Sequence, residues 1–197
     1  MPNWGEMPSL RSSLQFPFLL SGQHIFYISF YSTINLLKRR LCYFYFKSKE
    51  ELAVAVISYY QAALLDKMQD FAVNRAWEDF LNDIFTYLDS LSANSALLGC
   101  PFAVMGMELA LQRSEIAKGY LEGLKHFQAL FCRVLLQSGI PQPHAEALSE
   151  RMIAVYQGNL LLGRISQDHI YLDIAKESMI HMYQEYRAFY AIALGEE

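Results

Sequence analysis

From residue 47 to the end, apolar side chains recur three and four positions apart, and no stretch keeps the two-residue alternation of a half-buried strand. A chain patterned this way has one way to bury its apolar surface, which is helix on helix. Ser48-Lys49-Glu50-Glu51 is a capping box, S-x-x-E, that closes open amide donors at a helix start. Leu52, Val56, Tyr59, Tyr60, Ala63 and Leu64 continue that helix to about Asp70. A second helix is predicted from Ala76 to Leu91, with Trp77, Phe80, Leu81, Ile84, Phe85 and Leu88 as its apolar stripe. Ser92 to Ser95 reads as a loop, and Gly99-Cys100-Pro101 leads into a short helix through Met105 and Leu109 to Gln112. Ser114 opens a long helix that Gly139 stops and Pro141 and Pro143 keep from continuing. Pro143 sits in the first turn of the next helix, which runs to about Ile165, and a last helix spans about Ile170 to Ala193. Residues 47–197 therefore read as an all-α bundle of five or six helices.

The first 46 residues are of another kind. They hold four basic side chains and one acidic, against 12 basic and 19 acidic in residues 47–197. Ala, Val and Asp are absent before Ala53 and common afterwards, while Phe, Leu, Ser, Ile and Tyr crowd the early segment. A basic end on an acidic body points toward a polyanion as partner. Phe18 to Leu37, followed by Lys38-Arg39-Arg40, has the length and basic flank of a membrane anchor. Ser21, Gly22, Gln23, His24, Ser29, Ser32, Thr33 and Asn35 interrupt it, so a membrane partner is disfavoured.

Enzyme chemistry has little support. There is no G-x-S-x-G, phosphate-binding loop, H-E-x-x-H or dinucleotide fingerprint, and the five histidines are scattered without metal-ligand spacing. The three cysteines, Cys42, Cys100 and Cys132, form no C-x-x-C pair and suit a reducing cytosol. Nothing in the pattern asks for a metal or a cofactor. The chain reads as a non-enzymatic, cytoplasmic protein.

Tyr43-Phe44-Tyr45-Phe46-Lys47-Ser48-Lys49-Glu50-Glu51-Leu52 resembles the end of the DNA-binding domain in the TetR family of bacterial transcriptional repressors. In that family an aromatic Tyr-x-x-Phe run closes the recognition helix, and Ser-Lys-Glu-Glu-Leu begins the connecting helix. Gly99-Cys100-Pro101 with Met107-Glu108-Leu109-Ala110, and Gly158 to Arg164 with Asp168, resemble segments of one TetR C-terminal subclass. The likeness spans residues 43–197.

The resemblance implies a TetR-like all-α fold: a small N-terminal DNA-binding domain at residues 1–46, and a larger helical effector-binding and dimerisation domain at 47–197. It implies double-stranded operator DNA, a small apolar effector and a second copy of the chain as partners. Phosphate contacts are expected from Tyr43, Lys47 and Lys49, with Arg39 and Arg40 adding non-specific charge. Candidate effector contacts are Phe71, Trp77, Phe80, Phe85, Cys100, Phe102, Met105, Met107, Phe127 and Tyr156, since Met and aromatics suit adaptable apolar cavities. The last two helices are expected to dimerise through Met152, Tyr156, Leu160, Gly163, Met179 and Tyr186.

Upstream of Tyr43 the chain departs from the family. A helix-turn-helix needs a small turn before its recognition helix; here Lys38-Arg39-Arg40-Leu41-Cys42 stands where that helix should begin. The length is right and the residues are not. Two readings account for this: a segment translated out of frame, or a divergent N-terminus whose aromatics pack on the following helix. The functional expectation is an effector-responsive repressor. The alternative is a helical dimeric ligand-binding module that has lost DNA binding.

Overall fold

A computed structural model describes residues 46–92, 96–111 and 113–194 of the chain. Phe18–Leu37, the segment weighed as an anchor, and the expected DNA-binding domain up to residue 45 lie outside the described residues. Among the described residues no helix is long and apolar enough to cross a membrane.

The capping box forms at the start of α1 (Lys49–Tyr60). The Ser48 hydroxyl accepts from the Glu51 amide at 3.1 Å, and the Glu51 carboxylate reaches back to the Lys47 amide at 2.7 Å. Such a cap contributes about 1 kcal/mol. The helical run continues as a π-helical turn, Gln61–Leu65, and then α2 (Asp66–Phe71). The run ends where expected, but the sequence carries no sign of the π turn. The next helices are α3 (Trp77–Ser92), α4 (Pro101–Leu109) and α5 (Ser114–Gln137). They are followed by α6 (Gln142–Ser166) and α7 (Ile170–Leu194). Every described element is helical, as the 3–4 spacing predicts.

Gly139 ends α5 by the mechanism its position suggests. Its φ of 87° lies in the left-handed region, where a side chain is strained. The Ile140 amide then bonds the Leu135 carbonyl at 3.0 Å and the Gly139 amide bonds that of Leu136 at 3.1 Å, a Schellman closure. Ile140 and Leu135 are both buried and supply its apolar contact.

α6 packs between α5 and α7, α4 lies on α5, and α7 covers α3. The core is rich in rings. Trp77, Phe80, Phe102, Tyr120, Phe127 and Phe131 are wholly buried, together with Met68, Met152 and Met179. Trp77 pins α3 to α7: its indole N–H donates to the Met179 carbonyl at 3.3 Å. Its ring also meets Phe131 edge-on at 5.6 Å.

Candidate effector core and its link to the connecting helix

The site grows from the short segment before α4. Gly99 takes a φ of 72°, which lets residues 97–100 run flat along one flank of α6. Each residue of that flank meets the segment in turn. Gln167 bonds both backbone groups of Leu97, at 3.0 and 3.1 Å. The Arg164 guanidinium donates to the Leu98 carbonyl, and Arg164 and Leu160 lie against Gly99. Gln157 lies beside Cys100. Gln167 holds its place by adopting φ 59°, a left-handed position more usual for glycine, where its amide bonds the Gly163 carbonyl at 2.7 Å. Asp168 then caps α7 by accepting from the Ile170 amide at 3.0 Å. The Gly158–Arg164 and Asp168 signature thus has local structural work: it fastens residues 97–100 and turns the chain into α7.

Cys100 precedes α4 and is buried. Burial pushes its thiol pKa up, partly offset by the Ala103 amide, the Gln157 side chain and the Phe102 amide. Burial also pushes the Tyr156 hydroxyl well above the ordinary range, with the Cys100 thiol adding to the shift. Both groups therefore stay neutral at physiological pH. Tyr156 is the hub of a ring cluster, lying 6.1 Å from Phe85, 6.4 Å from Phe127 and 5.8 Å from Phe131. Phe102 joins it through Phe127 at 5.9 Å. Beside the Cys100 thiol, a weak partner at most, the Gln157 carboxamide is sealed from solvent at both Oε1 and Nε2 and has no other hydrogen-bond partner. An unpaired buried amide costs about 1–3 kcal/mol.

The cluster is mechanically joined to α5. The Phe102 ring sits where a side chain on Gly123 would go, 2.3 Å from the position of a Cβ. One turn earlier the Tyr120 hydroxyl donates to the Ala53 carbonyl of α1 at 3.2 Å, and Ile57 of α1 packs on Gly119. Arg113, just before α5, pairs with Glu50 in the first turn of α1 at 2.9 Å.

The expected effector residues divide accordingly. Phe85, Cys100, Phe102, Phe127 and Tyr156 come together, and Met105 is buried on the same short helix. Trp77 and Phe80 join through Phe131, as part of the pin between α3 and α7. Two do not belong. Met107 is 55% exposed, because α4 turns it away from α5. Phe71 is half-buried at the far end of α2, edge-on to Tyr87 at 5.8 Å and under the Lys67 ammonium. Gln157, Gln167 and Phe131 stand in the same region and were not among the expected residues. The available signal was two polar residues seven apart on α6, Gln157 and Arg164, which the helical period places on one flank of an otherwise apolar-faced helix.

The expected interface residues need correction. Met152, Tyr156, Leu160, Gly163 and Met179 are buried in the chain's own core and offer no surface to a second copy. Tyr186 alone is half-buried, with its ring 5.3 Å from His144. About half a turn round α6 lies an outward stripe: Ala154, Gly158, Leu161, Leu162 and Ile165. A Cβ on Gly158 would meet nothing within 4 Å. Ile170 and Ile174 extend the exposed apolar surface onto α7. Of the expected phosphate contacts, Lys47 is exposed beside the cap, and Lys49 opens α1 with its side chain outside the described residues. Arg39, Arg40 and Tyr43 also lie outside the described residues.

Residues 75–178 match the family model of the C-terminal domain of LmrA/YxaF-like transcriptional regulators, a TetR-type domain. The chain belongs to the TetR family of transcriptional regulators. A crystal structure of a TetR transcriptional regulator from Legionella pneumophila has a similar fold, with a TM-score of 0.65 at 19% identity, covering 92% of this chain and 97% of that one. No curated protein matches the sequence. The matched span of this TetR regulator holds the whole ring cluster, the residue 97–100 segment, all of α6 and the start of α7.

Proposed function

We propose that this TetR regulator is an effector-responsive repressor that acts as a homodimer on operator DNA. Its effector would be small and largely apolar. The observation that carries the reading is the ring cluster around Tyr156, buried beside the start of α4 and joined through Phe102, Gly123 and Tyr120 to α1. A ligand entering among these rings displaces Phe102 or α4. Because Phe102 rests on α5, the disturbance reaches the Ala53 and Glu50 contacts of α1, the helix that follows the expected DNA-binding domain in sequence. An effector that favours one arrangement of this path shifts the population of DNA-competent dimers.

Dimerisation is assigned to the outward face of α6 and the start of α7, from Ala154 to Ile174. Small residues at Ala154 and Gly158 allow close helix approach, and Leu161, Leu162 and Ile165 supply apolar area. Nothing in the reading requires a cofactor, a metal or a catalytic step, and it places the protein in the cytosol.

The test is a gel-shift assay on the region upstream of its own gene. Salt-sensitive binding that a small apolar compound releases is expected, and absence of binding by both this chain and a frame-corrected version defeats the repressor reading. A second reading, a dimeric helical ligand-binding module without DNA binding, is favoured by residues 1–46, which lack Ala, Val, Asp and the small turn of a helix-turn-helix. In the same assay it gives a dimer that binds ligand and leaves DNA free.

A further inference from the structure

We infer that the Gln157 carboxamide is the polar anchor of the effector site, selecting a neutral ligand that presents a hydrogen-bond donor beside an acceptor on an apolar body. The inference rests on the effector reading above and adds the ligand's chemistry to it. Along the flank of α6 facing residues 97–100, the other polar side chains have their matches. Gln167 closes on Leu97 and Arg164 on the Leu98 carbonyl. Gln157 comes last in that series and meets the Cys100 thiol, a weak donor and weak acceptor that leaves both amide atoms unmatched. A carboxamide offers two donors and one acceptor in one plane. A ligand with a donor and an acceptor flanking one carbon, as in an amide, satisfies both sides of it at once, as one amide pairs with another.

The surroundings set the rest of the specificity. Tyr156 adjoins Gln157 in sequence, and its ring neighbours Phe85, Phe127 and Phe131 provide apolar and aromatic faces for the body of the ligand. The Cys100 thiol and Tyr156 hydroxyl, both kept protonated by burial, bring no charge with which to balance an ion. A charged ligand would be desolvated there without compensation. An unmatched buried amide is also a standing cost to the unliganded fold, and a site that keeps one recovers it only when a partner arrives.

The full-length protein, Gln157→Leu and Gln157→Met are compared by thermal melting and by calorimetric titration with benzamide, ethylbenzene and benzoate. Benzamide carries the donor–acceptor pair, ethylbenzene carries neither, and benzoate carries a charge. Both variants are expected to melt above the wild type without probe, because the orphaned amide is gone. Benzamide is expected to bind them at least tenfold more weakly than it binds the wild type, ethylbenzene equally well or better, and benzoate to bind none of the three. Variants that melt lower and keep benzamide affinity overturn the inference, since the amide then serves the fold. Equal binding of benzamide and ethylbenzene to all three proteins overturns it while leaving the effector reading intact. A wild type that binds no probe overturns both.

Discussion

The ring cluster and the connecting helix are built by opposite means. Around Tyr156, rings from α3, α4, α5 and α6 interlock with almost no solvent contact. Where α1 meets α5, polar links stand beside the packing: Tyr120 donates to the Ala53 carbonyl and Arg113 pairs with Glu50, while Ile57 rests on Gly119. The helical run carrying that union is itself interrupted by the π turn at Gln61–Leu65, a feature that recurs at functional sites. Dense packing resists graded deformation, whereas a few polar links can be exchanged at small cost. The contrast suits a regulator whose core receives the signal and whose connecting helix moves.

Trp77→Ala should be the most damaging single truncation. It removes a fully buried indole, its bond to the Met179 carbonyl and its contact with Phe131, which together tie α3 to α7. A loss of about 3–5 kcal/mol is expected from denaturant unfolding. A loss under about 1 kcal/mol would mean that the core is looser than its packing implies.

Gly123→Ala should come next, at about 1–3 kcal/mol, because the new methyl meets the Phe102 ring and the ring is held by Phe127. Adding Phe102→Leu should recover part of that loss. A coupling energy near zero in the double-mutant cycle would separate α4 from α5 and remove the proposed path to α1.

Much of the fold was legible because helix ends are written in local chemistry. Ser48, Gly139 and Pro143 each mark a boundary for reasons that need only neighbouring backbone. The ring cluster was half legible, since spacing places Phe85, Phe127 and Tyr156 on core stripes of their helices without saying which stripes meet. Met105 and Met107 differ only by two positions on a short helix, and the docking of α4 on α5 decides that one is buried and the other open. On α6 the run Leu160-Leu161-Leu162 offers apolar residues to both sides, so periodicity cannot fix the phase. Met152, Tyr156 and Leu160, expected on an interface, consequently lie on the buried side of α6. Gln167 in a left-handed turn, the orphaned Gln157 and the π turn depend on tertiary contacts with residues 97–100 and α5, which no local pattern encodes.

Tyr120→Phe tests the polar link between α1 and α5 directly. Its loss of the bond to the Ala53 carbonyl should cost about 1 kcal/mol, with the ring still filling its buried place. Hydrogen exchange should then quicken in α1 amides and stay unchanged in α3 and α6. Equal quickening across all three would show that Tyr120 belongs to the core rather than to the link.

The smallest effect belongs to Glu50→Gln, and pH identifies it. The Arg113 guanidinium holds the Glu50 carboxyl below its ordinary pKa by hydrogen bonding, helped by the Glu50 amide. A lowered folded-state value means that the pair's contribution is present above the ordinary carboxylate pKa and disappears as pH falls through the lowered one. The pair is open to water, so its contribution is small and screened by salt. The difference in melting temperature between wild type and Glu50→Gln should therefore be slight at neutral pH, shrink further in high salt, and vanish in acid. A difference of the same size in acid and at neutral pH would assign the effect to the changed side chain's place in the first turn of α1. The ion pair would then carry none of the link between α1 and α5.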